Sequence, residues 1–155
     1  MSIQFSRNLI KGKIAEVIFE QMIREEGRYE IIPFGYEHTV PALAQYRHLV
    51  QVQKVIDNIS DAPDFALISN DKSQVYMVEV KYRIGHSAED IKDVAASILE
   101  RWYPSWLFIA TPQGFYCAPC SSIAETGKIS PLSTNWVTAE RQAEYLNLLN
   151  EFERK

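Results

Sequence analysis

The stretch that decides the fold is PDFALISNDKSQVYMVEVKYR, residues 63–83. It contains two runs rich in apolar residues, 64–69 and 75–83, with the residues Asn70-Asp71-Lys72-Ser73 between them. Asparagine, aspartate and serine favour turns because their short polar side chains bond to the neighbouring backbone. Two such runs joined by a turn predict a β-hairpin.

The charged residues of this hairpin fall where two paired strands would bring them together. Side chains alternate between the faces of a strand, so Glu79 and Lys81 share one face, about 6–7 Å apart. Asp64 opens the partner strand directly after Pro63, which a strand tolerates only at the edge of a ladder. How closely Asp64 approaches Glu79 depends on the register, which the sequence leaves open. Two carboxylates can hold a hard cation such as Mg²⁺, and an ammonium beside them can offset developing negative charge.

The segments on both sides of the hairpin predict further helices and strands. Apolar residues at helical spacing, among them Ile10, Ile14, Val17, Ile18 and Met22, predict a helix over 8–26 that ends at a C-terminal glycine, residue 27. A serine at position 87 followed by Ala-Glu-Asp is typical of a helix start. The other predicted elements are a strand over 29–33, a helix over 41–59, strands over 106–110 and 115–118, a loop over 121–135 and a helix over 138–153.

The order of these elements indicates the fold class. It is αβ(α)ββαββα, without the regular βαβ alternation of a doubly wound sheet. We therefore expect a single domain over residues 1–155, of the α/β class in its α+β form. Its central mixed sheet would be flanked by helices.

The composition indicates a globular protein with an acidic balance. A chain of 155 residues buries enough surface to fold without disulfides. Its net charge of −4 argues against a domain that clamps long duplex DNA unaided, because phosphate contacts supply most non-specific affinity. We expect no signal peptide, since the first residues contain no apolar core. We also expect no membrane-spanning helix, because no charge-free apolar stretch approaches about 18 residues, and the expected location is the cytoplasm.

Pro63-Asp64 followed by Glu79-Val80-Lys81 resembles the signature of the PD-(D/E)XK nuclease superfamily. In that family an aspartate begins one strand, and a glutamate-x-lysine lies on the adjacent strand after a short hairpin. Upstream, Gly12-Lys13-Ile14-Ala15-Glu16 looks like the family's first helix, which contributes a glutamate to the site. Downstream, a helix and then a strand follow the lysine. The resemblance covers about residues 8–118 and implies a restriction-endonuclease-like core.

The resemblance also implies a role for each site residue. Asp64 and Glu79 would hold Mg²⁺ or Mn²⁺ together with the Val80 carbonyl, and Glu16 would be a further ligand, directly or through water. Lys81 would position the attacking water. The implied function is a metal-dependent nuclease that hydrolyses phosphodiester bonds, with DNA as the expected nucleic acid. Neither the choice between DNA and RNA nor that between internal and terminal cleavage follows from the motif.

Other interpretations of the same residues stay open. Glu79 and Lys81 could form the solvated face of an amphipathic strand. A nuclease fold can also bind nucleic acid or a protein without cleaving, because fold does not fix function. Substrate specificity could come from a homodimer or a partner protein, and the helix predicted over 41–59 is the expected place for it.

Residues outside the motif offer weaker signals. Cys117-Ala118-Pro119-Cys120 matches the C-x-x-C pattern of thiol-redox proteins, but the sequence after it predicts too short a helix to activate a thiol. A structural zinc site would need a second cysteine pair, which the chain lacks. The residues that could contact phosphate are His86 just past the motif strand, and Arg7, Lys11, Lys13, Arg83 and Lys92, although ordinary surface positions explain each of them as well.

Overall fold

The computed structural model describes residues 3–34, 62–85 and 87–153. Within these ranges the chain forms a five-stranded mixed sheet and four helices. In chain order they are α1 (Ile3–Glu26), β1 (Tyr29–Pro33), β2 (Phe65–Ser69), β3 (Val75–Tyr82), α2 (Ala88–Arg101), β4 (Trp106–Thr111), β5 (Gly114–Pro119), α3 (Cys120–Thr126) and α4 (Ala139–Glu153). The chain is therefore an α+β protein, as the sequence predicts.

The strands lie in the sheet in the order of the sequence, β1-β2-β3-β4-β5. β2 runs antiparallel to both β1 and β3, β3 and β4 are parallel, and β4 and β5 are antiparallel. The parallel pair needs a long connection, because a tight turn cannot join parallel strands, and α2 lies in it. The predicted hairpin and the predicted strand over 29–33 are confirmed.

Helices cover both faces of the sheet. One face carries Phe65 and Phe108, which pack in a buried cluster with α1 and α4. Phe19 of α1 contacts both rings, at centroid distances of 5.6 and 4.6 Å. The opposite face carries Leu107 and Ile109, which pack in a second buried cluster with α2 and α3. β4 is buried along nearly all of its length, because one of these clusters packs on each of its faces.

The ends of two helices agree with their sequence signals. α1 stops before Gly27, whose φ of +74° is the left-handed conformation that glycine adopts most easily. The Gly27 N–H donates to the Ile23 carbonyl at 3.2 Å. At the start of α2 the Ser87 hydroxyl accepts the Asp90 N–H at 3.0 Å, which confirms the predicted cap. α1 begins at Ile3 rather than at residue 8, so the prediction placed this boundary too late.

The loop predicted over 121–135 is wrong for its first part, where the chain forms α3. This helix is only seven residues long, too short to show a helical period in the sequence. Its Ile123 side chain is fully buried beside α2, so packing rather than propensity holds it. The helix predicted over 41–59 lies outside the described residues.

Candidate active site

The predicted site lies at the end of the sheet where β2 begins and β3 ends. Phe65 of β2 pairs with Val78 of β3, and the antiparallel register continues from there to the turn. One further step in the same register puts Asp64 opposite Glu79. Both side chains leave the sheet on the face away from α1, because their neighbours Phe65, Val78 and Val80 belong to the cluster that packs against α1. The structure therefore supplies the register that the sequence leaves open.

Two hydrogen bonds from the backbones of neighbouring segments hold Asp64. Its Oδ2 atom accepts the Val80 N–H at 2.9 Å. Its main-chain carbonyl accepts the N–H of Phe34, just past the end of β1, at 2.8 Å. The carboxylate is thus tied to the motif strand at the residue between Glu79 and Lys81.

Glu79 is a buried carboxyl group, with 9% of the residue exposed. Burial, a hydrogen bond to the Asp64 side chain and the Asp64 charge raise the pKa of Glu79 to about 8, against smaller opposing effects of Lys81 and Arg101. At neutral pH, without a cation, Glu79 therefore keeps its proton, because burial and the nearby Asp64 carboxylate disfavour a second charge. For Glu79 the interpretation as a solvated strand face is wrong.

The site residues line a cleft of about 730 Å³. All five residues of the predicted site lie along it, namely Glu16, Asp64, Glu79, Val80 and Lys81. Lys81 is half-buried and follows Glu79 by two residues on the strand, so the two side chains leave the same face. The cleft is bounded on one side by α1 and on the other by the end of β3. Residues distant in sequence thus converge on one concave surface.

Glu16 enters the cleft from α1. Its carboxylate lies 3.6 Å from the Lys13 ammonium, one turn earlier on the helix, and its side chain is 18% exposed. Within the described ranges no group of three or more aspartate, glutamate, histidine or cysteine side chains lies close enough to hold one metal ion. Glu16 therefore shares the cleft with Asp64 and Glu79 but does not form a three-carboxylate cluster with them.

Cationic side chains border the same cleft. Of the described residues that line it, four are cationic (Lys11, Lys13, Lys81 and Arg83) and three are carboxylates (Glu16, Asp64 and Glu79). Lys11 lies over the ring of Tyr82, with its ammonium 5.6 Å from the centroid, a favourable cation–π arrangement. The guanidinium of Arg83 bonds to the Tyr82 carbonyl at 2.9 Å and to Asp90 at 3.3 Å. The cleft is thus locally cationic in a chain whose net charge is −4.

Two residues near Glu79 were not predicted to lie close to the site. Arg101, at the end of α2, is close enough for its charge to lower the pKa of Glu79. Cys120, at the start of α3, is fully buried, and burial raises its pKa, with a smaller contribution from the Glu79 charge. Both residues come near the site through the path of the chain after β3, which a local motif cannot reveal.

The thiol-redox interpretation of Cys117 and Cys120 finds no support. Both thiols are buried and free, and burial raises the pKa of each above its ordinary value. Thiol-redox chemistry needs the opposite, a thiolate stabilised at neutral pH. The helix begins at the second cysteine rather than the first. His86 and the histidines at positions 38 and 48 lie outside the described residues.

None of the described helices is long and apolar enough to cross a membrane. Neither a protein-family model nor a curated protein sequence matches the chain. The interpretation of the cleft therefore depends on its own residues and geometry.

Proposed function

We propose that this cleft is the active site of a metal-dependent nuclease that hydrolyses phosphodiester bonds, with DNA as the substrate. The observation that carries the proposal is the pair Asp64 and Glu79, two carboxyl groups opposite each other at the end of the sheet and in one cleft, with Glu79 buried. Proteins avoid burying adjacent carboxylates unless a cation or a function compensates for the cost. Lys81 lies in the same cleft, where an ammonium complements this chemistry.

The arrangement of elements supports membership of the PD-(D/E)XK nuclease superfamily, with a restriction-endonuclease-like core. A helix that carries Glu16 comes first, followed by three antiparallel strands. Asp64 precedes the second strand and Glu79-Val80-Lys81 lies on the third, as the resemblance implies. A helix and a strand parallel to the third follow. This agreement covers the order of the elements and the place of each motif residue on them.

The oxygen donors present fit a Mg²⁺ or Mn²⁺ ion. Asp64 and Glu79 would hold it with the Val80 carbonyl, and waters would complete the coordination, since Mg²⁺ keeps several waters and binds through one or two carboxylates. A cation would displace the proton that Glu79 keeps at neutral pH. Glu16, which lies outside any three-carboxylate cluster, fits a role through water better than direct coordination. When bound, the metal supplies Lewis-acid stabilisation of charge on the phosphoryl group.

Lys81 and Asp64 have separate roles in the hydrolysis of the phosphodiester. Lys81 orients the attacking water and offsets the negative charge that develops on the phosphoryl oxygens. The water oxygen forms a bond to phosphorus while the bond from phosphorus to the leaving sugar oxygen breaks. The attacking water loses a proton to solvent, and the leaving oxygen takes one up from solvent. The Asp64 carboxylate accepts the Val80 N–H, so this group is held in place before the substrate arrives.

The cations along the cleft account for nucleic-acid binding by an acidic chain. Lys11, Lys13 and Arg83 lie along the same cleft as the carboxyl pair, where they can contact phosphates on both sides of the bond to be cut. Binding of a polyanion depends on the local arrangement of charge rather than on the total. The affinity should therefore fall as the salt concentration rises, with a slope set by these few contacts.

Cleavage of labelled nucleic acids tests the proposal. Single-stranded, duplex and branched DNA and a matched RNA would be incubated with the protein and Mg²⁺ or Mn²⁺, and with EDTA as the metal-free control. We expect metal-dependent cleavage of at least one DNA that Lys81→Ala abolishes. The matched variant Lys128→Ala removes an exposed lysine after α3 and should leave cleavage unchanged.

The other outcomes of this experiment separate the alternatives. Cleavage of RNA alone would support the assignment of the active site and would replace DNA by RNA as the substrate. Binding of Mn²⁺ and of DNA without turnover would favour a binding module over an enzyme. Absence of both Mn²⁺ binding and cleavage would contradict the proposal.

A further inference from the structure

Gly12 lies inside α1, at a position where a glycine weakens the helix. α1 runs from Ile3 to Glu26, so Gly12 is more than two turns from either end. A glycine inside a helix costs stability relative to alanine, because it loses more conformational freedom on folding. The described glycines with a left-handed backbone are Gly27 and Gly127, whereas Gly12 has the ordinary helical backbone that any residue adopts. The helix itself therefore gives no reason for a glycine at this position.

The packing around Gly12 gives no reason for a glycine either. A Cβ atom added at Gly12 would meet no described atom within 4 Å, beyond the adjoining residues and the backbone of its own helix. At Gly127, by contrast, an added Cβ would lie 3.2 Å from Ala88, so close packing explains that glycine. Gly12 lines the cleft of the carboxyl pair. The missing side chain therefore leaves room in the cleft and not for another part of the protein.

The residues around Gly12 are polar and mostly cationic. Asn8 and Glu16 lie one helical turn before and after it, on the same face. Lys11 and Lys13 adjoin it in the sequence, and all of these residues line the cleft. The Lys13 ammonium lies 3.6 Å from the Glu16 carboxylate and offsets its charge. We call the surface formed by these five residues the α1 notch. Lysine and asparagine side chains are frequent partners of the phosphate oxygens of nucleic acids.

The cleft offers less for contact with the faces of the bases. Among its described lining residues Tyr82 is the one aromatic side chain, and the Lys11 ammonium lies over its ring. Proteins that hold the bases of a single strand commonly stack them on aromatic side chains. A sugar–phosphate backbone instead needs cations, polar donors and room for close approach. The α1 notch therefore fits the backbone of a nucleic acid better than its bases.

We propose, on the basis of the nuclease function proposed above, that the α1 notch binds the sugar–phosphate backbone of the DNA strand beside the bond that is cut. Gly12 is then a positioning residue. A side chain at this place would hold the strand away from Asp64 and Glu79, and the stability that glycine costs α1 is offset by the close approach of the substrate. Because backbone contacts carry no direct sequence information, cleavage should depend little on the base sequence.

Substitutions of Gly12 test this proposal, because stability and function should change in opposite directions. Alanine and leucine are both better helix formers than glycine, so Gly12→Ala and Gly12→Leu should unfold at higher urea concentrations than the wild type. The kcat/KM for DNA cleavage in Mn²⁺ should fall roughly tenfold in Gly12→Ala and roughly a hundredfold in Gly12→Leu, because a misplacement of about 1 Å can cost a hundredfold. Binding of a short fluorescent DNA in EDTA, measured by anisotropy, should weaken in the same order.

A control variant and a modified substrate identify the contact. Ala96→Leu adds a side chain at an exposed position of α2 that does not line the cleft, and it should bind and cleave DNA like the wild type. A methylphosphonate replaces one charged phosphate oxygen of the DNA by a methyl group. At one position beside the cut it should weaken binding by the wild type and remove most of the difference between wild type and Gly12→Leu, because both changes act on the same contact.

The outcomes separate this proposal from that of the nuclease. Gly12 variants that bind and cleave DNA like the wild type would overturn the role of the α1 notch, while loss of cleavage in Lys81→Ala would still support the active site. Lower stability of both Gly12 variants would assign the glycine to packing and would also overturn the proposal. So would weaker Mn²⁺ binding with unchanged DNA binding, which would assign the notch to the waters around the metal. A wild type that neither binds nor cleaves DNA would overturn both proposals.

Discussion

The carboxyl pair at the centre of the site predicts an unusual dependence of stability on pH. Without a cation, Glu79 is buried beside Asp64, and burial, the hydrogen bond to Asp64 and the Asp64 charge raise its pKa from 4.5 to about 8. Glu79→Gln replaces the protonated acid by a neutral group of the same shape that can still donate a hydrogen bond to Asp64. The variant should therefore keep the structure and remove the titration.

The sign and size of this pH effect on stability follow from the linkage between proton binding and folding. Between pH 4.5 and 8 the folded chain keeps a proton on Glu79 that the unfolded chain releases, so the free energy of unfolding falls as the pH rises. Each pH unit in this range lowers the free energy of unfolding by about 1.4 kcal/mol. From pH 4.5 to pH 8 the loss is therefore at most about 5 kcal/mol. Because the cleft opens to water, which can reach the carboxylate once it ionises, we expect about half of this. At pH 8 the Glu79→Gln variant should be more stable than the wild type by roughly 2 kcal/mol.

Urea unfolding followed by tryptophan fluorescence measures this difference. Wild type and Glu79→Gln would be compared at pH 5 and pH 8 in EDTA, at one fixed protein concentration, with Glu30→Gln as a control on an exposed carboxylate. We expect nearly equal stabilities at pH 5 and a clear advantage for Glu79→Gln at pH 8. Mn²⁺ should reduce that advantage by stabilising only the wild type. Equal stabilities at pH 8, or a difference that does not change with pH, would refute the reasoning.

Three further predictions concern the scaffold. Arg141→Ala should lower the free energy of unfolding by about 2 kcal/mol, because the Glu26 side chain, 6% exposed, would lose the closer of its two cationic partners and keep only Arg28 at 3.7 Å. An unchanged urea midpoint would contradict this. Ser87→Ala removes the cap of α2 and should cost about 1 kcal/mol in the same urea assay, whereas Ser87→Asp should retain most of the stability. Cys117 and Cys120 should react with a thiol reagent only after unfolding, since both are buried, and rapid labelling of the native protein would show that this part of the sheet opens.

The residues that the sequence identifies well are those that a local pattern brings together. Glu79 and Lys81 lie two residues apart on one strand, so the period of the strand is enough to put them on one face. Asp64 is separated from them by a tight hairpin, whose turn residues are readable. For such elements the sequence distance and the spatial distance are nearly the same, and the predicted strands agree with the structure.

Features that depend on tertiary packing were not predictable in this way. The apolar stripe of α1 looks continuous in the sequence, yet Ile18 is buried while Val17 is 58% exposed, because α4 and the sheet cover only part of the helix. Arg101 approaches Glu79 through the path of α2. The helix α3 forms because Ile123 packs against α2. None of these contacts has a signature in the residues next to it.

The most direct test of the central claim is the single-turnover rate at which wild type and Asp64→Asn cleave the best DNA substrate in Mn²⁺. Asparagine can keep the hydrogen bond from the Val80 N–H while removing the charge, so circular dichroism should be unchanged. We predict a rate at least about a hundredfold lower in Asp64→Asn, because the removed interaction acts on the transition state. Equal rates for Asp64→Asn and wild type would contradict the assignment of this cleft as the active site.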